Sequence, residues 1–322
     1  MSTSSSFSFT VNRGQIIRDA MLNIGLLDET EAPTPQETTD IAFKLNMLIK
    51  QWMGKSDFAP GLKVWTRRRG HLFLKSTIGP YVMGPNSTTG WTNDAPITPL
   101  LTATALTGAT SAVVSSAAGL AAGMYIGFDL DANGVYWTKI ISVAGTTINI
   151  AGAMPSQCST GAQVFAYTNA AQYALNVSAV ILRDNQQTDT AMRIMTSEDY
   201  DLLSNKMDPQ NMGDPTAVYT ENQLGYTYLY TDIAVAQDTS KHLVVTYMEP
   251  VQDVLQDSDN FEYPQEWFLA LSWGLAKQIC PQFSVSWTPL MQDNFTSALA
   301  IAGHKDAEVS SLYYQPYDTG SN

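Results

Sequence analysis

An α+β fold is predicted for this chain: a helical bundle formed by N- and C-terminal helices, with a projecting antiparallel β-domain carrying a small β-barrel or sandwich insert. Three observations predict it. Apolar residues recur at helical spacing near both ends, over residues 12–53 and 264–302. From about residue 62 to 250 the pattern changes to aromatic and β-branched runs broken by Gly and Pro, the signature of strands. Inside that stretch, residues 98–168 shift toward Ala, Gly, Ser and Thr, as an inserted module would.

The elements follow in order. Residues 1–10 are Ser/Thr-rich and are expected to form a flexible arm, and the lack of a basic region and a continuous apolar run argues against a signal peptide. A helical hairpin is expected over 11–61. Its first helix, at 12–27, places Ile16, Ile17, Ala20, Met21 and Ile24 on one face, and an acidic loop follows from Asp28 to Pro33. Thr34-Pro35-Gln36-Glu37 reads as a capping box with Pro at the first helical position, and Ile41, Leu45, Leu48 and Trp52 form the apolar stripe behind it. Gly54 is the expected stop.

The β-domain is expected at 62–97 and 169–262, interrupted by the 98–168 module. Within the module, Asn133-Gly134 lies between the strand-like runs Met124–Leu130 and Val135–Ile141, a hairpin signal, and Gly145 marks a second turn before Thr146–Ile150. Asn176–Arg183 and Ala191–Thr196 read as strands, Ser197 as the N-cap of a short helix, and Tyr226–Thr231 with His242–Met248 as a further strand pair. C-terminal helices over 263–307 complete the bundle. One opens at Pro264 and ends before Pro281. The last opens at Thr288-Pro289 with Leu290, Phe295, Ala298, Leu299 and Ala302 directed inward. Residues 308–322 are expected to form an extended tail.

Composition narrows the function. Charged residues make up only 15% of the chain, below the ~25% usual for globular domains. A low-charge surface rich in Thr, Ser, Ala and Gly suits a subunit covered by neighbours. The net charge of −13 argues against a nucleic-acid grip, which requires a basic face. An acidic wall instead repels phosphate and lets DNA slide. No apolar run reaches the ~20 residues of a membrane span.

Chemistry-bearing motifs are scarce, and no enzyme activity, cofactor or metal is expected. His71, His242 and His304 are isolated from one another in sequence, Cys158 and Cys280 read as two free thiols, and no nucleotide or hydrolase motif occurs. Asp129-Leu130-Asp131-Ala132-Asn133-Gly134 imitates half of a calcium loop, but the twelfth position, which must supply a bidentate carboxylate, is Ile140. Arg67-Arg68-Arg69 reads as a solvated or subunit-bridging strand end, or as a contact to phosphate or to a neighbour's acidic patch. Glu249 to Glu262 carries five acids and no base. It fits a solvated loop that favours the following helix N-terminus, and equally a channel lining by Asp253, Asp257 and Asp259. Tyr313, Tyr314 and Tyr317 in the tail suggest docking onto a partner, since Tyr offers a large contact area at low entropic cost.

Two blocks resemble the head-to-tail adaptor (tail-tubular or head-completion) proteins of short-tailed bacteriophages. The first runs Ile17-Arg18-Asp19-Ala20-Met21-Leu22-Asn23-Ile24-Gly25, then Pro35-Gln36-Glu37 and Lys44-Leu45-Asn46-Met47-Leu48-Ile49-Lys50-Gln51-Trp52. The second contains Ser197-Glu198-Asp199-Tyr200, Asn205-Lys206, Pro215-Thr216-Ala217-Val218-Tyr219 and Tyr263-Pro264-Gln265-Glu266-Trp267, followed by Ala270-Leu271 and Gly274-Leu275-Ala276. The resemblance implies a structural ring of twelve copies at the head–tail interface of a virion, made in the host cytoplasm. Its implied partners are further copies of itself, the portal, a nozzle or needle protein and tail fibres, with genomic DNA passing through the lumen unbound. It implies that the Tyr-bearing tail reaches the portal. Alternatives are a tail nozzle or tube ring, or a carbohydrate-binding or cell-wall-degrading tail component in which Trp91 and Trp137 would meet sugar.

Overall fold

The computed structural model describes residues 9–56, 59–60, 64–74, 80–85, 90–131, 134–184, 186–206, 208, 210–235 and 241–305. In chain order, α1 (Arg13–Asn23) and α2 (Pro35–Met53) lead to β1 (Lys55–Ser56) and β2 (Ala59–Pro60). Then come β3 (Arg67–Phe73), β4 (Tyr81–Met83), β5 (Trp91–Thr92), β6 (Ser111–Val113), β7 (Tyr125–Leu130), β8 (Gly134–Ala144), β9 (Thr147–Ile150) and β10 (Val164–Tyr167). β11 (Asn176–Arg183), β12 (Asp189–Ile194), α3 (Ser197–Asp201), β13 (Met212–Gly213), β14 (Ala217–Gln223), β15 (Tyr226–Thr231), β16 (Ala234–Val235) and β17 (His242–Met248) follow. The helices α4 (Trp267–Ile279) and α5 (Pro289–Lys305) close the described chain. The protein is thus mixed α and β, with five helices among the described residues.

The chain divides into two compact units, residues 1–66 with 251–322, and residues 67–250. In the first, α1, α2, α4 and α5 contribute to one apolar core. Asn12 caps α1 and Thr34 caps α2, each through a complete capping box, so both helices begin where their side chains satisfy the free backbone N–H groups. α1 is shorter than the expected 12–27 helix because Gly25, with φ of +70°, ends it. The α2 stripe is buried as its spacing requires, and Trp52 packs against the Trp267 ring at 5.9 Å. α4 starts at Trp267 rather than Pro264, which lies in the preceding turn. On α5, Ala298 and Ala302 are buried, but Leu290 is exposed, because in the first turn it is Met291 that faces the core.

Residues 251–262, assigned to the β-domain from sequence, instead pack with the helices. Val251, Val254 and Phe261 are buried in the helical core. Polar side chains on α1 and α2 hold the segment's carbonyls, so a run that looks like a solvated loop is anchored on both its apolar and its backbone groups.

In the second unit an eight-stranded sheet, nearly closed and barrel-like, has the order β4-β15-β14-β12-β11-β17-β3-β5. It is not wholly antiparallel, because β12 pairs parallel with β14, the crossover running through α3. β15 and β17 do not pair with each other as expected. β15 lies between β14 and β4, and β17 between β11 and β3. α3 is capped by Thr196, one residue before the expected Ser197, because Thr196 is the residue whose hydroxyl accepts from Asp199 N.

The insert is a five-stranded sheet of order β10-β7-β8-β9-β6. Residues 97–102 close it. Ile97 and Leu101 donate backbone bonds to Ala166 and Ala162 on one side, while Thr102 donates to Val113 and Ser115 donates back to Leu100 on the other. Gly134 (φ +68°) starts β8, and Gly145 (φ +62°) turns it into β9. Phe73 of the large sheet meets Val135, Phe165 and Tyr167 of the insert in a small aromatic core, with Trp137 alongside.

Among the described glycines of the first unit, the tightest surroundings are those of Gly274, where α4 meets α2. A Cβ added at Gly274 would come within 2.7 Å of the Trp52 ring and 3.2 Å of Leu48. Gly274→Ala is therefore expected to destabilise by about 1–3 kcal/mol, as overpacking does, read as a lowered urea midpoint in equilibrium unfolding.

Candidate functional site

In the helical unit, the acidic segment is tied to α1 and α2. The Arg13 guanidinium donates to Asp257 (2.6 and 3.0 Å) and to the Leu255 carbonyl at 2.6 Å. The carbonyls of Asp259 and Asp257 accept from Arg13 N and Gly14 N at 3.0 and 3.1 Å. Free N–H groups at the start of α1 are thereby satisfied by the loop backbone. Lys50 bridges the Val251 carbonyl (2.7 Å) and Asp253 (2.8 Å), and Asn46 bonds Val254 through both its amide atoms. Asp259 accepts from Leu255 N and Gln256 N. The three candidate channel-lining acids, Asp253, Asp257 and Asp259, therefore fall together and share a structural task. The helix end that this segment serves is that of α1. α4, which follows it, has no side-chain cap bond.

The same unit presents two apolar surfaces. On α2, Phe43 and Met47, one turn apart, are 69% and 55% exposed. A groove of about 470 Å³ opens between the N-terminal segment, α1 and α4, with an apolar wall that includes Phe9, Val11, Ile16 and Phe268 and a polar rim of Thr10, Gln15, Asp19 and Gln265. Arg18, which also lines it, is held by the Glu29 and Glu31 carbonyls. No α2 residue lines the groove, so the knob and the hollow are separate features.

The Arg triplet lies on β3, paired with β17. Arg68 is bonded to Glu249 at 3.1 Å, whereas Arg67 and Arg69 are exposed. The alternation of the strand puts Arg69 and His71 on the face opposite Leu72. There β17 and β11 add His242 and Arg183, with Arg183 forked onto Asp189 at 2.6 and 2.8 Å. The triplet thus divides between the two faces of the sheet and does not make a continuous basic stripe.

Pairing of β3 with β17 brings together two histidines that are far apart in sequence. The His71 and His242 rings are 5.2 Å apart, and Phe73 lies 5.6 Å from His242. His71 Nδ1 and His242 Nε2 are buried with no hydrogen-bond partner. Burial pushes both pKa values down, with Arg183 adding to the effect, and His242 is pushed down to about 4. Among the described residues no group of three His, Cys, Asp or Glu side chains is placed to hold a metal ion. Both cysteines are free and buried. Cys158 donates to the Asp129 carbonyl at 2.8 Å, and burial, with Asp129 and Asp131 nearby, pushes its thiol up to about 12. On either side of Ala132 and Asn133, which lie outside the described residues, Leu130 pairs with Gly134 as β7 meets β8, and Asp131 accepts from Ser159 and Gln157.

The two tryptophans suggested for sugar contact are packing residues. Trp91 is fully buried, donates to the Gln172 carbonyl at 2.9 Å, and fills the space left by Gly70. Trp137 lies in the aromatic seam between insert and sheet, 5.2 Å from Phe73 and 5.3 Å from Tyr167. Tyr313, Tyr314 and Tyr317 lie outside the described residues. Sequence reasoning missed a tyrosine face on β14 and β15. Its only local signal is the alternation Tyr226, Tyr228, Tyr230, which reads equally well as an ordinary strand.

No protein-family model matches this sequence, and no curated protein matches it. Among solved structures, one match is the Gp54 tailspike of Acinetobacter baumannii bacteriophage AP22 in complex with A. baumannii capsular saccharide. It has 13% identity and a TM-score of 0.20, over 22% of this chain and 14% of that one. At that level the match carries no argument about fold or activity. No described helix is long and apolar enough to cross a membrane.

The histidine pair predicts a pH dependence. Both folded-state pKa values lie below the ordinary value of 6.5, so the unfolded chain binds protons first as pH falls. The contribution of the neutral pair is fully present above pH 6.5 and is lost between there and about pH 4. Denaturant unfolding of His242→Phe is expected to show a shallower loss of stability across this window than the parent chain.

Proposed function

We propose that this chain is a structural subunit of a head-to-tail adaptor ring in a phage virion, joining portal to tail and extending the DNA channel. The observation that carries the reading is the pair of separate apolar surfaces on the helical unit, Phe43 with Met47 on α2 and the groove between α1 and α4. A knob and a hollow at different places on one subunit favour a head-to-tail contact between copies, and such contacts close into rings where the rotation from one copy to the next closes. The ordered motifs from Ile17 to Trp52 and from Ser197 to Ala276 support the same reading, since they lie on α1, α2, α3, β14 and α4. In this arrangement the four long helices act as a bundle that packs against its neighbours. The net charge of −13 suits a lumen through which DNA slides without adhering. Portal, nozzle or needle, and tail fibres are the partners this role requires, and the role needs no catalysis and no cofactor.

Sedimentation velocity of the purified chain, alone and mixed with the portal protein, tests the proposal. The expected result is a monomer alone and a multi-copy complex on the portal. Phe43→Asp, which places a charge on the knob, is expected to reduce the number of copies bound while leaving the circular dichroism of the chain unchanged. A chain that associates neither with itself nor with portal overturns the proposal.

A further inference from the structure

The tyrosine face of the second unit extends beyond the small core that Met195, Tyr200 and Ala217 make with Tyr219 and Tyr230. In the β14–β15 ladder Tyr219 opposes Tyr230, Glu221 opposes Tyr228, and Gln223 opposes Tyr226. These six side chains share one face, and Val218, Thr227, Leu229 and Thr231 are buried on the other. Tyr200 from α3 stacks on Tyr219 at 5.2 Å, and Tyr219 stacks on Tyr230 at 5.7 Å. Tyr228 stands edge-on to both Tyr226 (5.0 Å) and Tyr230 (6.1 Å). All of these except Tyr200 are half-exposed.

The electrostatics of this face are one-sided. Aromatic rings present a negative face, which attracts cations. Glu221 lies among the rings and accepts from the Gln223 amide at 2.7 Å and the Tyr230 hydroxyl at 3.4 Å, both neutral donors. Burial first, and then the charge of Glu221, push the Tyr219 and Tyr230 phenols up. Within the same unit, residues 207–250 carry six Asp and Glu against one Lys, Lys241, which is paired with Asp214 at 2.6 Å. At one end the cluster already holds a cation. The Lys206 ammonium lies 4.3 Å from the Tyr200 ring centroid, bonded to the Tyr200 carbonyl at 2.8 Å.

We infer that this face binds a cationic segment of a partner protein, with an Arg or Lys side chain lying over the Tyr228 and Tyr230 rings and pairing with Glu221. Charge complementarity selects this occupant. A nucleic acid would bring phosphate against Glu221, and a neutral sugar would use the rings but gain nothing from the carboxylate's charge.

Titration calorimetry of the full chain with hexa-arginine and hexa-lysine peptides at low salt tests the inference. Glu221→Gln and Tyr228→Ala are each expected to weaken binding about two- to five-fold. Tyr228→Phe, which keeps the ring, is expected to bind as the parent does. Asp293→Asn removes the same charge from the exposed side of α5 and is expected to change nothing, with circular dichroism confirming that every variant folds. Three results would overturn the inference: no peptide binding, equal losses in Glu221→Gln and Asp293→Asn, or binding of maltoheptaose to the same face that Glu221→Gln leaves intact.

Discussion

Everything in the helical unit depends on burying α4. Trp267, Phe268, Ala270, Leu271, Gly274, Leu275, Ala276 and Ile279 are buried along its length, so it is covered on most sides, as a helix apolar around most of its circumference must be. α1 and α2 supply much of that cover from the other end of the chain, and neither has an alternative surface large enough to bury its own stripe. Gly274 permits the closest approach, because any side chain there would displace Trp52. Removing so large a ring from a core costs about 3–5 kcal/mol, which places the α2–α4 contact among the strongest single terms available to a unit of this size.

That requirement sets the topology of the rest. The chain must leave the helical unit after Thr66 and return at Val251. β3 and β17 meet this condition directly, since Arg67 at the start of one strand pairs with Met248 at the end of the other. The excursion therefore begins and ends at neighbouring points, and the entropic cost of closing it grows only slowly with its length. The same logic applies within the β-unit. The insert leaves and returns next to Ile97 and Ala166, which bond to each other, so a self-contained closed sheet is accommodated without altering the pairing of the larger one.

What the sequence makes legible follows from range. Caps and stripes act within four residues, so Thr34 with Glu37, the burial of Ile41 through Trp52, and the turns at Gly134 and Gly145 can be read from local chemistry. Leu290 has the helical spacing but not the packing partner, which periodicity alone does not supply. Pairings between distant segments leave no local trace. The parallel β12–β14 contact, the separation of β15 from β17, and the meeting of His71 with His242 all depend on the sheet order. The assignment of the acidic run from Asp253 to Asp259 to the β-domain departs from the structure for a related reason. Its charge is conspicuous, while the features that decide its position are Val251, Val254 and Phe261 beneath it and the carbonyls that Arg13, Asn46 and Lys50 hold. Tyr226, Tyr228 and Tyr230 read as a strand, but only Tyr200 from α3 and Tyr219 from β14 turn them into a continuous aromatic surface.

The two proposed surfaces differ in chemistry, and that difference assigns them different tasks. Phe43, Met47 and the apolar wall of the groove would be stabilised in contact by removing area from water, the kind of surface suited to a permanent joint between copies. The tyrosine face is half-exposed and polar at its hydroxyls, and it carries a single carboxylate, so each cation it holds contributes only a little. A contact of that strength is insufficient alone but gains from repetition. In an assembly of the kind proposed, every copy would carry the same face, and a common partner could meet several of them. The second and later contacts then form at high effective concentration, and avidity exceeds single-site affinity without any new interaction. On this reasoning the apolar joint would form first in the proposed assembly, because the weak face would gain its strength from the array that the joint creates.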